Sequence, residues 1–509
     1  MVAHVNSVAF LGLEARPVEV QVQMTSGLPA FTIVGLPDKA VGESRERVRA
    51  ALSAIGLALP PKRIIVNLAP ADLPKMGSHF DLPIALGVMV AAGALPSDAL
   101  ADHVVIGELG LDGTLARVAG ALPAAMAANA RGLGLICPAA CGPEAAWAGD
   151  DVDVIAPLDL TQLVNHVQGR QVLDVPAASL GAPDAAHGDL ADIRGQETAK
   201  RALEVAAAGN HNLLLVGPPG AGKSMLAQRL PTILPSLSPA ELLDVAMIRS
   251  VAGTFSQTGL TRDRPFRAPH HSASMAAMVG GGMRAHPGEV SLAHLGVLFL
   301  DEFPEFSPQV LDSLRQPIEN GETVIARANF RVTYPSRFQL VAAMNPCKCG
   351  YAGTPGHTCR QGARCSETYQ ARLSGPLLDR IDMHMDVPAV SAVDLMAPRP
   401  TEDSATVRAR VTAARTRQVE RYEAAGLSGV RSNAECPARV IEDVGAPEAD
   451  GMHLFRDAAE KLRLSARGYH RVLRLGRTIA DLDGAETVQR VHIAEALSYR
   501  FRLAETVVA

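Results

Sequence analysis

The sequence has no apolar run long enough to cross a membrane. Hydrophobic residues make up 48% of its 509 residues, but no stretch approaches the roughly 18 consecutive apolar residues of a spanning helix. No basic segment followed by an apolar one precedes the first predicted strand, so no secretory leader is indicated. These two absences predict a soluble, cytoplasmic protein without a membrane partner.

The chain also lacks an excess of positive charge. It has 48 Lys and Arg against 53 Asp and Glu, which gives a formal net charge of −5. This balance argues against a protein that coats nucleic acid through general basicity, but it leaves room for a locally basic channel. Seven cysteines, an odd number, favour metal ligands or free thiols over a disulfide framework in a cytoplasmic protein.

Length and pattern predict three structural units. At about 150 residues per domain, a chain of this length can form three. Residues 1–170 alternate β-prone runs with Ala-rich helical stretches, which predicts an α+β domain, and residues 171–188 form a linker with Pro and Gly. Residues 189–390 alternate strands and helices as a parallel α/β sheet does, and residues 391–509 are mainly helical.

The most specific motif is a phosphate loop, which lies between a predicted strand at 212–216 and a predicted helix. It fits the pattern G-x-x-x-x-G-K-[ST] without a mismatch. Its members are Gly217, Pro218, Pro219, Gly220, Ala221, Gly222, Lys223 and Ser224. In such a loop successive N–H groups point at phosphate oxygens, the lysine neutralises the β and γ phosphates, and the serine binds Mg²⁺. The motif therefore predicts a nucleoside triphosphate site with Mg²⁺.

Two further predicted strands end in side chains suited to triphosphate hydrolysis. The apolar run 297–300 leads into Asp301 and Glu302 at the carboxyl end of a buried strand, where open α/β sheets bind ligands. Asp301 would hold Mg²⁺ through water, and Glu302 would orient and activate the attacking water. Asn345, after the run 339–344, could hydrogen-bond that water or the γ-phosphate, although Asn before Pro is also a common turn former.

Together these motifs and the segment 374–384 resemble the AAA+ ATPases of the magnesium-chelatase-like type. In the N-terminal region, four segments narrow the resemblance to the bacterial YifB/ComM family, whose competence member is a DNA branch-migration helicase. These segments are 31–38, 43–49, 67–73 and 80–84. The resemblance implies a P-loop AAA+ core of parallel sheet and flanking helices with a helical lid, preceded by a Lon-protease-like α+β domain.

The resemblance also implies a ring, expected to be a hexamer, with ATP bound between subunits. The phosphate loop, Asp301, Glu302 and Asn345 would act within one subunit. Arg380 would act on the neighbouring subunit's γ-phosphate as an arginine finger, although a local ion pair is the alternative. An arginine of the lid is expected to touch the phosphates. Arg467 at a predicted helix start is the first candidate and Arg471 the second, against a merely solvated basic helix face.

The implied function is an ATP-driven motor that moves along branched or single-stranded DNA, in support of recombination during natural transformation. A motor that inserts metal into a tetrapyrrole or remodels a protein is the alternative. An ATP-dependent peptidase is a third possibility, which we disfavour. The Lon-like domain contains Ser78, but the segment 120–123 lacks the lysine that would activate a serine nucleophile.

Four cysteines follow Asn345 within a short Gly-rich segment: Cys347, Cys349, Cys359 and Cys365. Four thiolates can complete a tetrahedral Zn²⁺ site, and such a loop has no other obvious source of order. The C-x-C spacing of the first pair departs from the common C-x₂-C pattern, and His357 could replace one ligand. The alternative is four unrelated thiols.

Residues 322–335 predict a β-hairpin around positions 328–329. In the related AAA+ clade such a hairpin projects into the ring pore, so Arg327 and Arg331 would meet phosphates of a threaded DNA strand. A solvent-facing hairpin is the alternative. The pair His270 and His271 precedes a Gly-rich segment, but no acidic residue or Cys is adjacent in sequence, so no site is predicted there.

Overall fold

The computed structural model describes residues 2–181, 188–255, 259–282, 285–327, 330–352, 359, 363–396 and 401–500. The predicted hairpin tip at 328–329, His357, and parts of the predicted linker and lid lie outside the described residues. The predicted α/β core with a parallel sheet, followed by a helical C-terminal region, is confirmed. In the part of the chain that the structure describes, no helix combines the length and apolar character needed to span a membrane.

The N-terminal unit is built on a mixed sheet. Its strands are β1 (Val2–Leu11), β2 (Glu14–Thr25), β3 (Ala30–Val34), β4 (Arg63–Ala69), β5 (His103–Val105), β6 (Glu108–Leu109), β7 (Leu115–Ala116), β8 (Gly134–Ile136) and β9 (Val154–Ile155). Its helices are α1 (Lys39–Ala54), α2 (Asp81–Ala91), α3 (Ala121–Asn129), α4 (Gly142–Ala145) and α5 (Leu160–Val167). The main sheet has the order β3-β4-β2-β1-β5-β8-β9, with β2 antiparallel to both neighbours. The helix α2 is apolar on every side and is correspondingly buried against β1 and β2.

The central unit is a five-stranded parallel sheet with a separate hairpin. Its strands are β10 (Leu213–Val216), β11 (Phe266–Arg267), β12 (Val297–Leu300), β13 (Glu322–Arg327), β14 (Phe330–Pro335), β15 (Gln339–Met344) and β16 (Met383–Asp386). Its helices are α6 (Glu197–Gly209), α7 (Lys223–Ile233), α8 (Pro239–Val251), α9 (Met275–Val279), α10 (Glu289–Leu292), α11 (Pro308–Ser313), α12 (Arg315–Asn320), α13 (Ala363–Gln370), α14 (Gly375–Leu378) and α15 (Ala392–Met396). The sheet order is β11-β12-β15-β10-β16, and β13 pairs with β14. Every residue of β10, β12 and β15 is buried, which explains their continuous apolar runs.

The C-terminal unit is helical and packs on one face of the central sheet. Its helices are α16 (Ser404–Ala424), α17 (Ala438–Val444), α18 (Ala449–Lys461), α19 (Ala466–Leu482) and α20 (Arg490–Ser498). The helices α16 and α19 share one hydrophobic core with α6 and α7. Buried Arg471 of α19 places its Nε 3.3 Å from Oδ1 of Asp382, which directly precedes β16. This ion pair attaches the helical unit to the sheet.

The N-terminal unit is joined to the central unit through α3 and α8. Leu122 of α3 is fully buried in a cluster that includes Val245 of α8. The backbone N–H of Gly120 donates to the carbonyl oxygen of Ser250 at 3.0 Å, and the Ser250 hydroxyl donates to the buried carboxylate of Glu144. Burial raises the pKa of Glu144, and the hydrogen bond from Ser250 opposes that shift. The two units therefore share a continuous interior.

Candidate active site

The carboxyl ends of the central strands meet at one edge of the sheet, where they line a cavity of about 720 Å³. The cavity is lined by residues 219–224 of the phosphate loop, and by Asp301, Glu302 and Asn345. The motifs predicted separately from the sequence are therefore brought together by the parallel sheet. Its strand order explains this, because β15 lies between β10 and β12.

Glycine allows the phosphate loop to turn from β10 into α7. Gly220 and Gly222 have φ angles of 77° and 87°, in the left-handed region that other residues adopt at a cost. Gly217 is required for another reason, since a Cβ there would lie 2.1 Å from the carbonyl oxygen of Val387. The helix α7 begins at Lys223, so its positive end faces the cavity.

The side chain of Lys223 connects the phosphate loop to the end of β15. Its Nζ donates to the carbonyl oxygens of Gly217 and Pro218, each at 2.8 Å, and to Oδ1 of Asn345 at 3.1 Å. Burial lowers the pKa of Lys223, and the negative charge of Asp301 opposes that shift. The ammonium group is thus held at the wall of the cavity.

Ser224 and Asp301 form the oxygen pair predicted to serve Mg²⁺. The Ser224 hydroxyl donates to Oδ2 of Asp301 at 2.6 Å. Hydroxyl and carboxylate oxygens are the hard donors that Mg²⁺ prefers, and such sites also use phosphate oxygens of the substrate. The residues present therefore fit a Mg²⁺–triphosphate complex.

Glu302 is held by both its backbone and its carboxylate. Its φ angle is 51°, in the left-handed region, and its N–H donates to Oδ1 of Asp301 at 2.9 Å. Its Oε2 lies 3.2 Å from Nδ1 of His271, and both His270 and His271 line the cavity. No site was predicted at this histidine pair because no acidic residue is adjacent in sequence, but the fold places Glu302 beside His271. The histidines follow β11, which pairs with β12, so strand order rather than spacing along the chain brings His271 to Glu302.

Arg380 and Arg467 meet on one carboxylate outside the lining of the cavity. Arg380 donates through Nη2 to Oε1 of Glu319, and Nη2 of Arg467 lies 3.6 Å from the same oxygen. Glu319 is near the end of α12. The Arg467 side chain is 60% exposed. The structure thus brings these two arginines together but does not place them at their own subunit's phosphate loop, while Arg471 is engaged by Asp382.

The predicted hairpin is formed by β13 and β14, with Arg327 opposite Phe330 in its register. Arg331 is exposed on β14. The base of the hairpin packs through Val332 and Tyr334 against Leu11 of the N-terminal unit. The N-terminal unit therefore supports the base of the hairpin.

The four predicted zinc ligands are close together. The Sγ atoms of Cys347, Cys349, Cys359 and Cys365 all lie within 4.8 Å of one another. Burial raises the pKa of Cys347, but a hydrogen bond with Cys349 and backbone N–H groups bring it down to about 7. The same hydrogen bond raises the pKa of Cys349, so the two thiols share the effect of their contact.

The N-terminal unit does not assemble the serine–lysine pair of a peptidase from the residues considered above. The Ser78 hydroxyl donates to the carboxylate of Glu108, and the buried Lys75 donates to the carbonyl oxygen of Pro70. Leu122 occupies the segment where the activating lysine was expected, and it is used in the contact with α8. Ser78 and Lys75 are thus engaged separately, and the role of this unit as an inactive scaffold stays a prediction.

Comparison with known proteins identifies relatives along almost the whole chain. Profiles described as magnesium chelatase subunit ChlI, subunit ChlI of Mg-chelatase, and the magnesium chelatase subunit ChlI C-terminal region match residues 189–395, 19–140 and 401–500. The chain is 45% identical to the competence protein ComM of Haemophilus influenzae, over 98% of this chain and 97% of that protein. It is 43% identical to the protein YifB of Escherichia coli, over 97% of this chain and 96% of that protein.

A more distant relative is the magnesium-chelatase 38 kDa subunit of Rhodobacter capsulatus, which is 27% identical over 61% of this chain and 87% of that protein. The similarity to ComM and YifB is stronger and includes the N-terminal unit, the nucleotide cavity and the C-terminal helices. This extent agrees with the resemblance found in the sequence. The chain belongs to the YifB/ComM family of magnesium-chelatase-like proteins.

Proposed function

We propose that this protein is an ATP-hydrolysing AAA+ ring motor that moves DNA. The observation that carries the proposal is the meeting of Lys223, Asp301, Glu302 and Asn345 at one cavity edge. A magnesium-chelatase-like ATPase is what the family supports. Movement along DNA is a more specific claim than ATP hydrolysis, and the 45% identity to a protein named for competence supports it.

The cavity residues divide the work of hydrolysis in this proposal. The amides of the phosphate loop and the Lys223 ammonium bind the β and γ phosphates, and Ser224 and Asp301 would hold Mg²⁺, which draws charge from the transferring group. Glu302 accepts a proton from the attacking water, because its carboxylate lies at the strand end beside the magnesium-binding oxygens. Asn345 orients that water or the γ-phosphate.

Arg380 and Arg467 complete the site of a neighbouring subunit in this proposal. They share Glu319 away from the cavity of their own chain, which supports a contact with the phosphates of a second subunit. A cation that approaches from outside stabilises charge that develops on the γ-phosphate. This role requires an oligomer, for which we propose a hexameric ring.

DNA is proposed to pass along the hairpin formed by β13 and β14. Arg331 is exposed on β14, and Arg327 is the last residue of the paired strand β13. Arginines on a protruding hairpin can neutralise DNA phosphates without reading sequence. Branch migration in natural transformation, in the cytoplasm, is the cellular role that this proposal implies.

A chelatase-like or protein-remodelling motor is the competing function. The profiles carry chelatase names, but the chelatase subunit of Rhodobacter capsulatus matches only 61% of this chain at 27% identity. The greater similarity to ComM therefore favours DNA as the substrate.

We also propose that the four-cysteine cluster binds one Zn²⁺. The support is the ligand set, because four thiolates that lie within 4.8 Å of one another suit a tetrahedral site. Zinc there would be structural, since such a site leaves no open coordination position for a substrate.

The test of the motor is the ATPase rate with and without a four-way DNA junction, over a salt series. We expect stimulation that falls as salt rises, and a weaker, flatter response in Arg331→Ala. The matched control is Arg16→Ala, which removes an exposed arginine from β2 in the N-terminal unit. An ATPase rate that no DNA structure changes at low salt would overturn the proposal of a DNA motor while leaving ATP hydrolysis in place.

A further inference from the structure

The segment that carries Cys347 and Cys349 contacts the phosphate loop through Gly350. Gly350, which follows Cys349, is buried against Pro219. A Cβ on Gly350 would lie only 2.6 Å from both Cγ and Cδ of the proline ring. The Gly350 N–H donates to the carbonyl oxygen of Cys347 at 2.9 Å, which closes a tight turn. The cysteine-bearing segment therefore packs against the phosphate loop at Pro219.

The same segment begins at the side chain that holds the phosphate-binding lysine. Asn345 accepts a hydrogen bond from Lys223 at 3.1 Å and is separated from Cys347 only by Pro346. The Pro346 carbonyl oxygen accepts a hydrogen bond from the Ser366 hydroxyl of α13 at 2.7 Å. The segment is thus connected to the cavity through Asn345 and to α13 through Pro346.

The thiols that could fix this segment come from three separate places along the chain. Cys347 and Cys349 follow β15, Cys359 lies between β15 and α13, and Cys365 lies in α13. The Sγ atoms of Cys347 and Cys349 are 3.0 Å apart, and a zinc ion bound to all four thiolates would add bonds to Cys359 and Cys365. Ligation would thus connect the end of β15 to α13 through the metal.

We propose that a zinc ion on these four thiolates sets the position of the phosphate loop and of Asn345, so that ATP affinity depends on metal occupancy. The inference rests on the zinc and ATP sites proposed above, but it does not depend on DNA. The metal is a structural support for nucleotide binding and takes no part in the chemical step. Its effect reaches the nucleotide through the contact of Gly350 with Pro219 and through the hydrogen bond of Asn345 with Lys223.

The test combines metal analysis with ATP binding, both on the full chain and without DNA. Zinc is measured by mass spectrometry of the purified protein, and affinity by titration with a fluorescent ATP analogue in excess Mg²⁺. We expect about one zinc per chain in the wild type. In Cys359→Ser we expect loss of zinc and at least about tenfold weaker ATP binding, because one charge-assisted hydrogen bond is worth that much. Cys137→Ala, a buried cysteine of the N-terminal unit, should keep both properties.

A second variant separates the metal from the contact that it supports. Gly350→Ala keeps all four thiols but places a methyl group against the Pro219 ring, and it also strains a backbone with φ of 87°. We expect it to retain zinc and to bind ATP at least about tenfold more weakly. This variant tests the contact alone; where Cys359→Ser does not fold, removal of zinc from the wild type with a chelator tests the metal.

Any of three results would overturn the inference: a wild-type protein without zinc, unchanged ATP affinity in Gly350→Ala, or unchanged ATP affinity in zinc-free Cys359→Ser. Failure of the DNA-motor proposal would appear differently. The wild type would then bind zinc and ATP and show the coupling, while its ATPase rate would ignore DNA.

Discussion

Nδ1 of His271 lies 3.2 Å from Oε2 of Glu302, so the carboxylate assigned to activate water contacts a side chain from the turn that follows β11. Glu302 also has a left-handed backbone with φ of 51°, so its carboxylate leaves the chain in an unusual direction. The backbone conformation and the contact with His271 together orient the Glu302 side chain before the substrate arrives. We therefore expect His271 to be a positioning residue for Glu302.

His271→Ala should lower the ATP turnover rate by about ten- to a hundredfold, because small misplacements of a reacting group have effects of that size. ATP affinity should stay near the wild-type value, since Lys223 and the phosphate loop are unchanged. His271→Asn, which keeps a hydrogen-bond donor, should recover part of the rate. Steady-state kinetics that separate kcat from KM provide the measurement, with Glu302→Gln as the inactive reference. Wild-type turnover in His271→Ala would remove the positioning role.

Arg380→Ala should abolish most ATP turnover, by about a thousandfold, as expected for loss of an arginine finger. Binding of a fluorescent ATP analogue should persist, because Arg380 lies outside the cavity lining. Mixing Arg380→Ala with Lys223→Ala subunits should restore some activity, since a mixed interface can combine one intact cavity with one intact arginine. If mixtures across all ratios stay inactive although the two variants co-assemble, Arg380 does not act in trans.

Leu122→Ala should loosen the junction between the N-terminal and central units. Leu122 is fully buried between α3 and α8, and removal of such a leucine costs about 2–5 kcal/mol. Amide hydrogen exchange across α3 and the C-terminal end of α8 should accelerate by about a hundredfold where exchange proceeds by opening of this junction. Met126→Ala on the same helix is the matched control, because Met126 is 38% exposed. Equal protection in both variants would contradict a shared interior.

Acid should destabilise the central unit through His294. Burial, followed by the charge of Arg337, lowers the pKa of His294 to about 4, and its Nδ1 accepts the Arg337 N–H at 3.0 Å. Between the ordinary pKa of about 6.5 and pH 4 the unfolded chain binds the extra proton, so stability falls as pH falls. The loss should approach about 3 kcal/mol near pH 4.

The measurement for His294 is the urea midpoint of the central unit between pH 7 and pH 4. His294→Asn keeps an acceptor for the Arg337 N–H and cannot titrate, so it should show a smaller loss over this range. A pH dependence identical to that of the wild type would show that another group is responsible.

The sequence was sufficient for those features whose residues are neighbours along the chain. The phosphate loop, the strand end at Asp301 and Glu302, and the P-loop core with its helical C-terminal region could be predicted because local motifs and apolar runs specify them. The roles of Arg380 and Arg467 stay predictions, and so do the DNA contacts of Arg327 and Arg331. The partners proposed for these residues are a neighbouring subunit and DNA.

The sequence by itself determined which residues bear the chemistry: a phosphate loop, two carboxylates at a strand end and four clustered thiols. Only the tertiary structure decided that His271 contacts Glu302, that Arg380 and Arg467 share Glu319, and that Gly350 lies against Pro219. The physical reason is sheet order and loop closure. They bring together residues far apart in the chain, and no local periodicity or motif encodes those distances.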